Sequence, residues 1–350
     1  MMKKRSAAFT AMALTAWMMS LIPVFAADSE VYVFNWSEYM PDSVISDFQK
    51  ETGIKVIYST FESNEAMFAK IRLVGGKEYD LVFPTTYYVH RMRRENLLQP
   101  LDKSLIPNIK HLDPRLMDKP YDPGNEYSLP YLWGSTGIGC NSAVIPPETV
   151  KSWKDLWNPA YKGRVLLSND LRDVFGMGLK VLGYSVNDTD PAHIEAAYGK
   201  LLALMSSVRA FASDSPKLPF LNREVNIGMI WNGEIYLAVQ EDPKLRYIYP
   251  EEGVMLWADS MVIPKGARNP GAAHKLIDYV LRPEVAKVIS EEVGYASPNL
   301  AAVGLMNPEV KNNPVVYPDA ETVQKGEFQV DVGEAILVYQ KYWEKLKTGQ

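Results

Sequence analysis

One cysteine in 350 residues, Cys140, leaves no intramolecular disulfide to hold the fold. It lies in the apolar run Gly137-Ile138-Gly139-Cys140, the setting of a buried small hydrophobe rather than of a reactive thiol. Histidine is nearly as scarce: His90, His111, His193 and His274 are scattered, never at metal-ligand spacing. No glycine-rich loop ends in Lys-Ser or Lys-Thr, and no Gly-x-Ser-x-Gly elbow occurs. Gly137-x-Gly139 resembles part of a dinucleotide loop, but Ser142 stands where a third glycine belongs. These absences exclude most nucleotide-, metal- and nucleophile-based enzymes, and the expectation is no cofactor. Excess positive charge is also missing. The formal charge is −5, which argues against nucleic acid and against anionic membrane surfaces.

A long hydrophobic run occurs only once, from Ala7 to Phe25, behind Lys3, Lys4 and Arg5. Small residues at Ala26-Ala27 and the polar Asp28-Ser29-Glu30 follow it, the pattern of a cleaved signal peptide over residues 1–26. A transmembrane anchor is the rival reading, since the run nearly reaches spanning length. The small-residue cleavage site favours removal. No cysteine near the leader's end is available to carry a lipid. Export without an anchor points to a Gram-negative periplasm or to secretion outright. The remaining chain is long enough for two domains.

What is present is an alternation of short apolar strands with amphipathic helices. Strand patterns at Glu30–Val33, Ile54–Tyr58 and Asp80–Phe83 enclose helical patterns opening near Asp42 and Asn64. After the Pro/Asp/Asn-rich stretch from Leu101 to Tyr131, the aromatic and glycine-rich Leu129–Gly139 reads as a strand leaving one domain for another. A second α/β series follows, with strands at Arg164–Leu167, Val225–Ile230, Arg246–Tyr249 and Val254–Trp257. Trp257-Ala258-Asp259-Ser260 reads as a return crossing, and an amphipathic helix closes the chain from about Asp331 to Lys347. Such alternation indicates parallel βαβ units covered on both faces, an α/β class.

In open α/β sheets, ligands bind beyond the carboxyl ends of strands. Aromatic and acidic residues recur at those points: Trp36, Glu38 and Tyr39, then Tyr87, then Asp170 with Asp173, Trp231, Trp257 with Asp259, and Tyr295. Each has a plainer reading. Glu38 could pair with a lysine, Asp170 could cap its helix, and both tryptophans could be core. Together they suggest one cleft lined by carboxylates and rings, suited to an organic cation with several charges. Paired carboxylates could also serve a glycoside hydrolase, though nothing separates an acid from a base among them.

The chain resembles the periplasmic spermidine/putrescine-binding proteins of bacterial polyamine ABC transporters. The resemblance runs through Phe34–Tyr39, Glu51–Thr60, Thr86–Tyr88, Gly228–Gly233, Leu281–Lys287 and Tyr317–Thr322. It implies a two-lobed, type II solute-binding fold with discontinuous domains and a ligand cleft between the lobes. The lobes would be residues 27–135 with 259–303, and 136–258 with 304–350. Carried over by motif, the aromatic box is Trp36, Tyr39, Trp231, Trp257 and Tyr295, and the ammonium partners are Glu38, Asp170, Asp173 and Asp259. Ser37, Thr85, Tyr87, Ser213 and Gln329 supply smaller polar contacts, the last two from Ser213 and Gln329 on resemblance alone. Asp173 stands where spermidine-preferring members carry the longer glutamate, and Ser37 and Thr85 exchange a methyl group with the usual pattern. The expected protein is a monomeric periplasmic receptor, not an enzyme, that takes spermidine in preference to putrescine and delivers it to an inner-membrane permease. A sensor signalling to a membrane receptor through the same pocket is the alternative.

Overall fold

The computed structural model describes residues 29–349, so the expected signal peptide lies outside the described residues. The first unit runs β1 (Glu30–Trp36), α1 (Asp42–Thr52), β2 (Lys55–Phe61), α2 (Asn64–Val74), β3 (Leu81–Val82) and α3 (Thr86–Arg94). Its boundaries have local causes. α1 stops at Gly53, whose φ of 71° lets its N–H return to the Gln49 carbonyl. The Ser63 side chain caps α2 by accepting from the Ala66 N–H. β1 pairs in parallel with both β2 and β3 and reads as a nearly continuous apolar run because both its faces are covered.

The stretch after α3, loop-like in sequence, is a chain of short 3₁₀ turns, three of them opening on Pro107, Pro114 and Pro123. It delivers β4 (Ser128–Asn141), at 14 residues the longest strand described. Then come β5 (Val165–Leu167), α4 (Leu171–Val181), α5 (Pro191–Leu204), β6 (Val208–Phe211), the short α6 (Leu218–Leu221), β7 (Ile227–Trp231), α7 (Asn232–Glu241), β8 (Leu245–Ile248) and β9 (Met255–Val262). The chain finishes with α8 (Pro270–Val280), α9 (Pro283–Val293), α10 (Leu300–Leu305), α11 (Pro308–Lys311), α12 (Ala320–Lys325), β10 (Glu327–Phe328) and α13 (Ile336–Thr348). None of the described helices is long and apolar enough to cross a membrane.

The strands form one sheet in the order β2-β1-β3-β9-β4-β7-β5-β6, with β10 added beside β9 and β8 beside β4. The two expected crossings are its central antiparallel pair. β4 follows β9 from Ser128↔Val262 to Thr136↔Met255, then continues along β7 to Cys140↔Ile227. Val254–Trp257 and Trp257–Ser260, read from sequence as a strand and a separate crossing, fall in one continuous strand, β9, which begins at Met255 and runs to Val262. Two hydrophobic cores meet along this pair. Leu129, Tyr131, Leu132, Met261 and Val262 belong to one; Ile138, Cys140 and Met255 belong to the other. Cys140 is fully buried, and desolvation pushes its thiol up to about 11, which makes it an inert packing residue.

Candidate ligand-binding site

Strand ends from both sides of the β4–β9 pair converge on a cavity with about 620 Å³ of empty space, part of it open to solvent. All fourteen residues singled out in the sequence line it: Trp36, Ser37, Glu38, Tyr39, Thr85, Tyr87, Asp170, Asp173, Ser213, Trp231, Trp257, Asp259, Tyr295 and Gln329. Ser215 and Glu234 line it as well. The antiparallel crossing strands bring this about. They place the carboxyl ends of β1 and β3 opposite those of β5 and β7.

The rings form the walls. Trp36 meets Trp231 edge to face at 6.2 Å between centroids, a contact from one core's strand to the other's. Tyr295 lies between Tyr39, at 5.5 Å, and Trp257, at 5.2 Å, again edge to face. These geometries suit the ring quadrupoles. The Trp36 indole N–H is anchored by the Phe83 carbonyl at 3.0 Å. Two glycines make room. A Cβ at Gly134 would sit 2.7 Å from the Trp257 ring, and one at Gly233 would sit 2.5 Å from that of Tyr295.

Three carboxylates form the floor, and none of them has an ion-pair partner among the described residues. Asp259, 4% exposed, accepts from the Thr85 hydroxyl at 2.7 Å and the Tyr39 phenol at 2.9 Å. Asp173, 2% exposed, accepts from the Trp231 indole at 2.8 Å and from Thr136 and Gln329 at 2.9 Å each. Asp170 does cap α4, accepting from the Asp173 N–H at 2.9 Å, yet it lines the cavity too. Neutral hydrogen bonds orient these groups but do not balance their charge. Desolvation pushes Asp173 and Asp259 up to about 7, with the Asp170 charge adding to the rise in each. Burial likewise raises Asp170. The site is therefore an acidic slot whose three carboxylates have only the Arg172 guanidinium near Asp170 to offset them, and no ion pair among the described residues.

A small network behind the floor holds Thr85 in place. Asn64, 1% exposed, accepts from the Thr85 N–H at 3.1 Å and donates to the Thr85 hydroxyl and the Tyr87 phenol at 3.0 Å each. On the opposite side, the Ser213 hydroxyl accepts from the Asn169 N–H at 2.9 Å. Glu38 is placed differently from its sequence reading as a carboxylate enclosed by rings. It occupies the left-handed region at φ 51°, its side chain is 54% exposed, and it pairs with Lys217 at 2.6 Å. Its plainer reading, a lysine partner, is what the structure contains.

The fold and cleft are those of a two-lobed solute-binding protein. The chain belongs to the family of bacterial extracellular solute-binding proteins, whose model matches residues 43–317. Members of this family bind solutes for transport and are not enzymes. The chain is 52% identical to the spermidine/putrescine-binding periplasmic protein of Salmonella typhimurium, across 93% of this chain and 94% of that one. Identity to its Escherichia coli counterpart is 51%, over 92% and 93% of the two chains. A solved structure from Listeria monocytogenes, a candidate spermidine/putrescine ABC transporter protein, superposes with a TM-score of 0.89 at 40% identity, covering 92% of this chain and all of that one.

Proposed function

We propose that this protein is a periplasmic polyamine receptor, taking spermidine in preference and putrescine as a second ligand, and handing it to an inner-membrane ABC permease. One observation carries the reading: Asp170, Asp173 and Asp259 are buried with no ion-pair partner among the described residues, in a cavity lined by six aromatic residues. An unpaired buried carboxylate is costly, and a ligand bearing ammonium groups spaced by methylenes supplies what is missing. Its charges meet Asp259 and the Asp170–Asp173 pair, while Trp36, Tyr39, Trp231, Trp257 and Tyr295 cover the methylenes and add cation–π attraction. Thr85 and Gln329 orient the acids, and Ser37, Tyr87 and Ser213 line the cavity where the amine hydrogens would be met.

The two cores agree in outline with a division into lobes, residues 27–135 with 259–303 and 136–258 with 304–350, that close on the ligand about the β4–β9 pair, although Trp257 packs with the first core and the last boundary falls inside α10. Closure would present the surface a permease recognises, and the receptor would act as a monomer after loss of residues 1–26. The names of the relatives, which couple spermidine and putrescine to binding in the periplasm, support the ligand class and the compartment. Calorimetric titration of the ligand-stripped protein with spermidine, putrescine, cadaverine and norspermidine tests the reading. One-to-one binding of at least one polyamine is expected. Absence of binding to all four refutes it.

A further inference from the structure

The acids of the cavity fall into two electrostatic groups. Asp170 acts on both Asp173 and Asp259; the buried Arg172 guanidinium draws Asp170 down without forming an ion pair, and none of the three acids has an ion-pair partner among the described residues. At the other end, Glu38 and Glu234 act on each other and share Lys217. The Lys217 ammonium is 2.6 Å from the Glu38 carboxylate and 3.8 Å from that of Glu234. It approaches from the loop before α6, between β6 and β7, whereas Glu38 follows β1, so the pair joins elements from opposite sides of the β4–β9 pair. The side chain is only 14% exposed. Glu234 is itself buried at 8% exposure, lines the cavity, and has one carboxylate oxygen with no hydrogen-bond partner. The arrangement is that of an alkylammonium between two carboxylates at the mouth of a slot proposed to hold alkylammonium groups.

We infer that Lys217 is a built-in occupant of the outermost cation position, so that it sets how many ammonium groups the receptor demands of its ligand. This rests on the polyamine reading of the same cavity. Two ligand ammonium groups answer the acids that lack an ion pair, Asp259 and the Asp170–Asp173 pair. A third must displace Lys217 from Glu38 and Glu234, or share them with it against like-charge repulsion. Lys217 thereby raises the standing of diamines relative to triamines. Glu234 opposes it, because the second carboxylate leaves that end with one negative charge beyond what Lys217 balances.

The test is the ratio of spermidine to putrescine affinity in the mature full chain, by calorimetric titration, for the wild type, Lys217→Met and Glu234→Gln. Lys217→Met keeps a stem of similar length without the charge, and it is expected to raise the ratio at least tenfold. Glu234→Gln is expected to lower it. Thermal melts of each variant, with Lys217→Gln as a second charge-free substitution, establish that the proteins compared are folded. A ratio within twofold of the wild type in folded Lys217→Met and Lys217→Gln overturns the inference while leaving the polyamine reading standing. A wild type that binds neither amine overturns both.

Discussion

Asp259→Asn removes one charge and little volume, and it should move binding and stability in opposite directions. In the complex, Asp259 is taken to face a ligand ammonium inside the acidic slot. Removing one partner of a buried, hydrogen-bonded charge pair costs about 2–5 kcal/mol, so affinity should fall by roughly 30- to 4,000-fold. In the ligand-free protein the sign reverses. The Asp259 carboxyl is pushed from 3.8 up to about 7 because burial disfavours its charged form. A raised folded-state value for an acid means that ionisation costs more in the folded chain than in the unfolded one. The destabilisation is absent below the unfolded value, grows between 3.8 and about 7, and is complete above that range. At pH 8 it amounts to about 4 kcal/mol, which the neutral asparagine does not incur. Part of that gain is offset because the amide can accept from only one oxygen, whereas Thr85 and Tyr39 donate to two. Comparing pH 8 with pH 4 cancels that second effect. Thermal melts of the ligand-free proteins should show the variant gaining several degrees on the wild type at pH 8 relative to its standing at pH 4. A pH-independent difference between the two would refute the electrostatic argument, and unchanged spermidine affinity would remove Asp259 from the site.

Trp257→Leu keeps the charges and removes a wall. A loss of about 0.5–2 kcal/mol, roughly 2- to 30-fold in affinity by titration, is expected if its ring faces an ammonium, and no loss would make Trp257 a core residue only. Gly134→Ala changes no ligand-facing group at all. Its methyl carbon would lie against the Asn232 amide oxygen and 2.7 Å from the Trp257 ring, so both side chains must shift; affinity should fall, with a shift in tryptophan fluorescence, and wild-type values in both would refute the close-approach role of Gly134.

Much of the site was legible because this fold puts its ligand groups at strand ends, and strand ends leave a mark in sequence. Trp36 and Trp231 close β1 and β7 as expected. Trp257 and Asp259, read as a strand end, instead lie inside β9, Asp173 lies in the first turn of α4, and Tyr295 follows α9. The crossing of β9 over the cleft, not a strand end, brings its two residues to the cavity. Glu234 carried a signal that went unused: it lies in the first turn of α7, three residues after Trp231, where a helix start turns side chains back toward the strand end. Lys217 and Ser215 had none, since a loop's position is set by tertiary contacts rather than by its own pattern. Asn64 looks like part of a helix cap beside Ser63, but only the fold reveals that it grips Thr85 and Tyr87. The helix Thr86–Arg94 was hidden for a related reason. Thr86, Tyr87 and Tyr88 open it with β-branched and aromatic residues of modest helix propensity, and burial of that face overrides them. Short strands such as Glu327–Phe328 exist only through their partner, here β9, so no local pattern announces them.

The central claim is that buried acids short of positive charge receive a polycation, and proton release on binding tests it most directly. Burial pushes Asp173 and Asp259 up to about 7, so near neutral pH they hold protons that they must give up to face an ammonium. Titrating spermidine at pH 7 in two buffers of different ionisation enthalpy should show net proton release on binding, shrinking as the pH rises towards about 8 and both acids ionise beforehand. Affinity should rise over the same interval. Binding with no proton release at pH 7, or with proton uptake, would contradict the account.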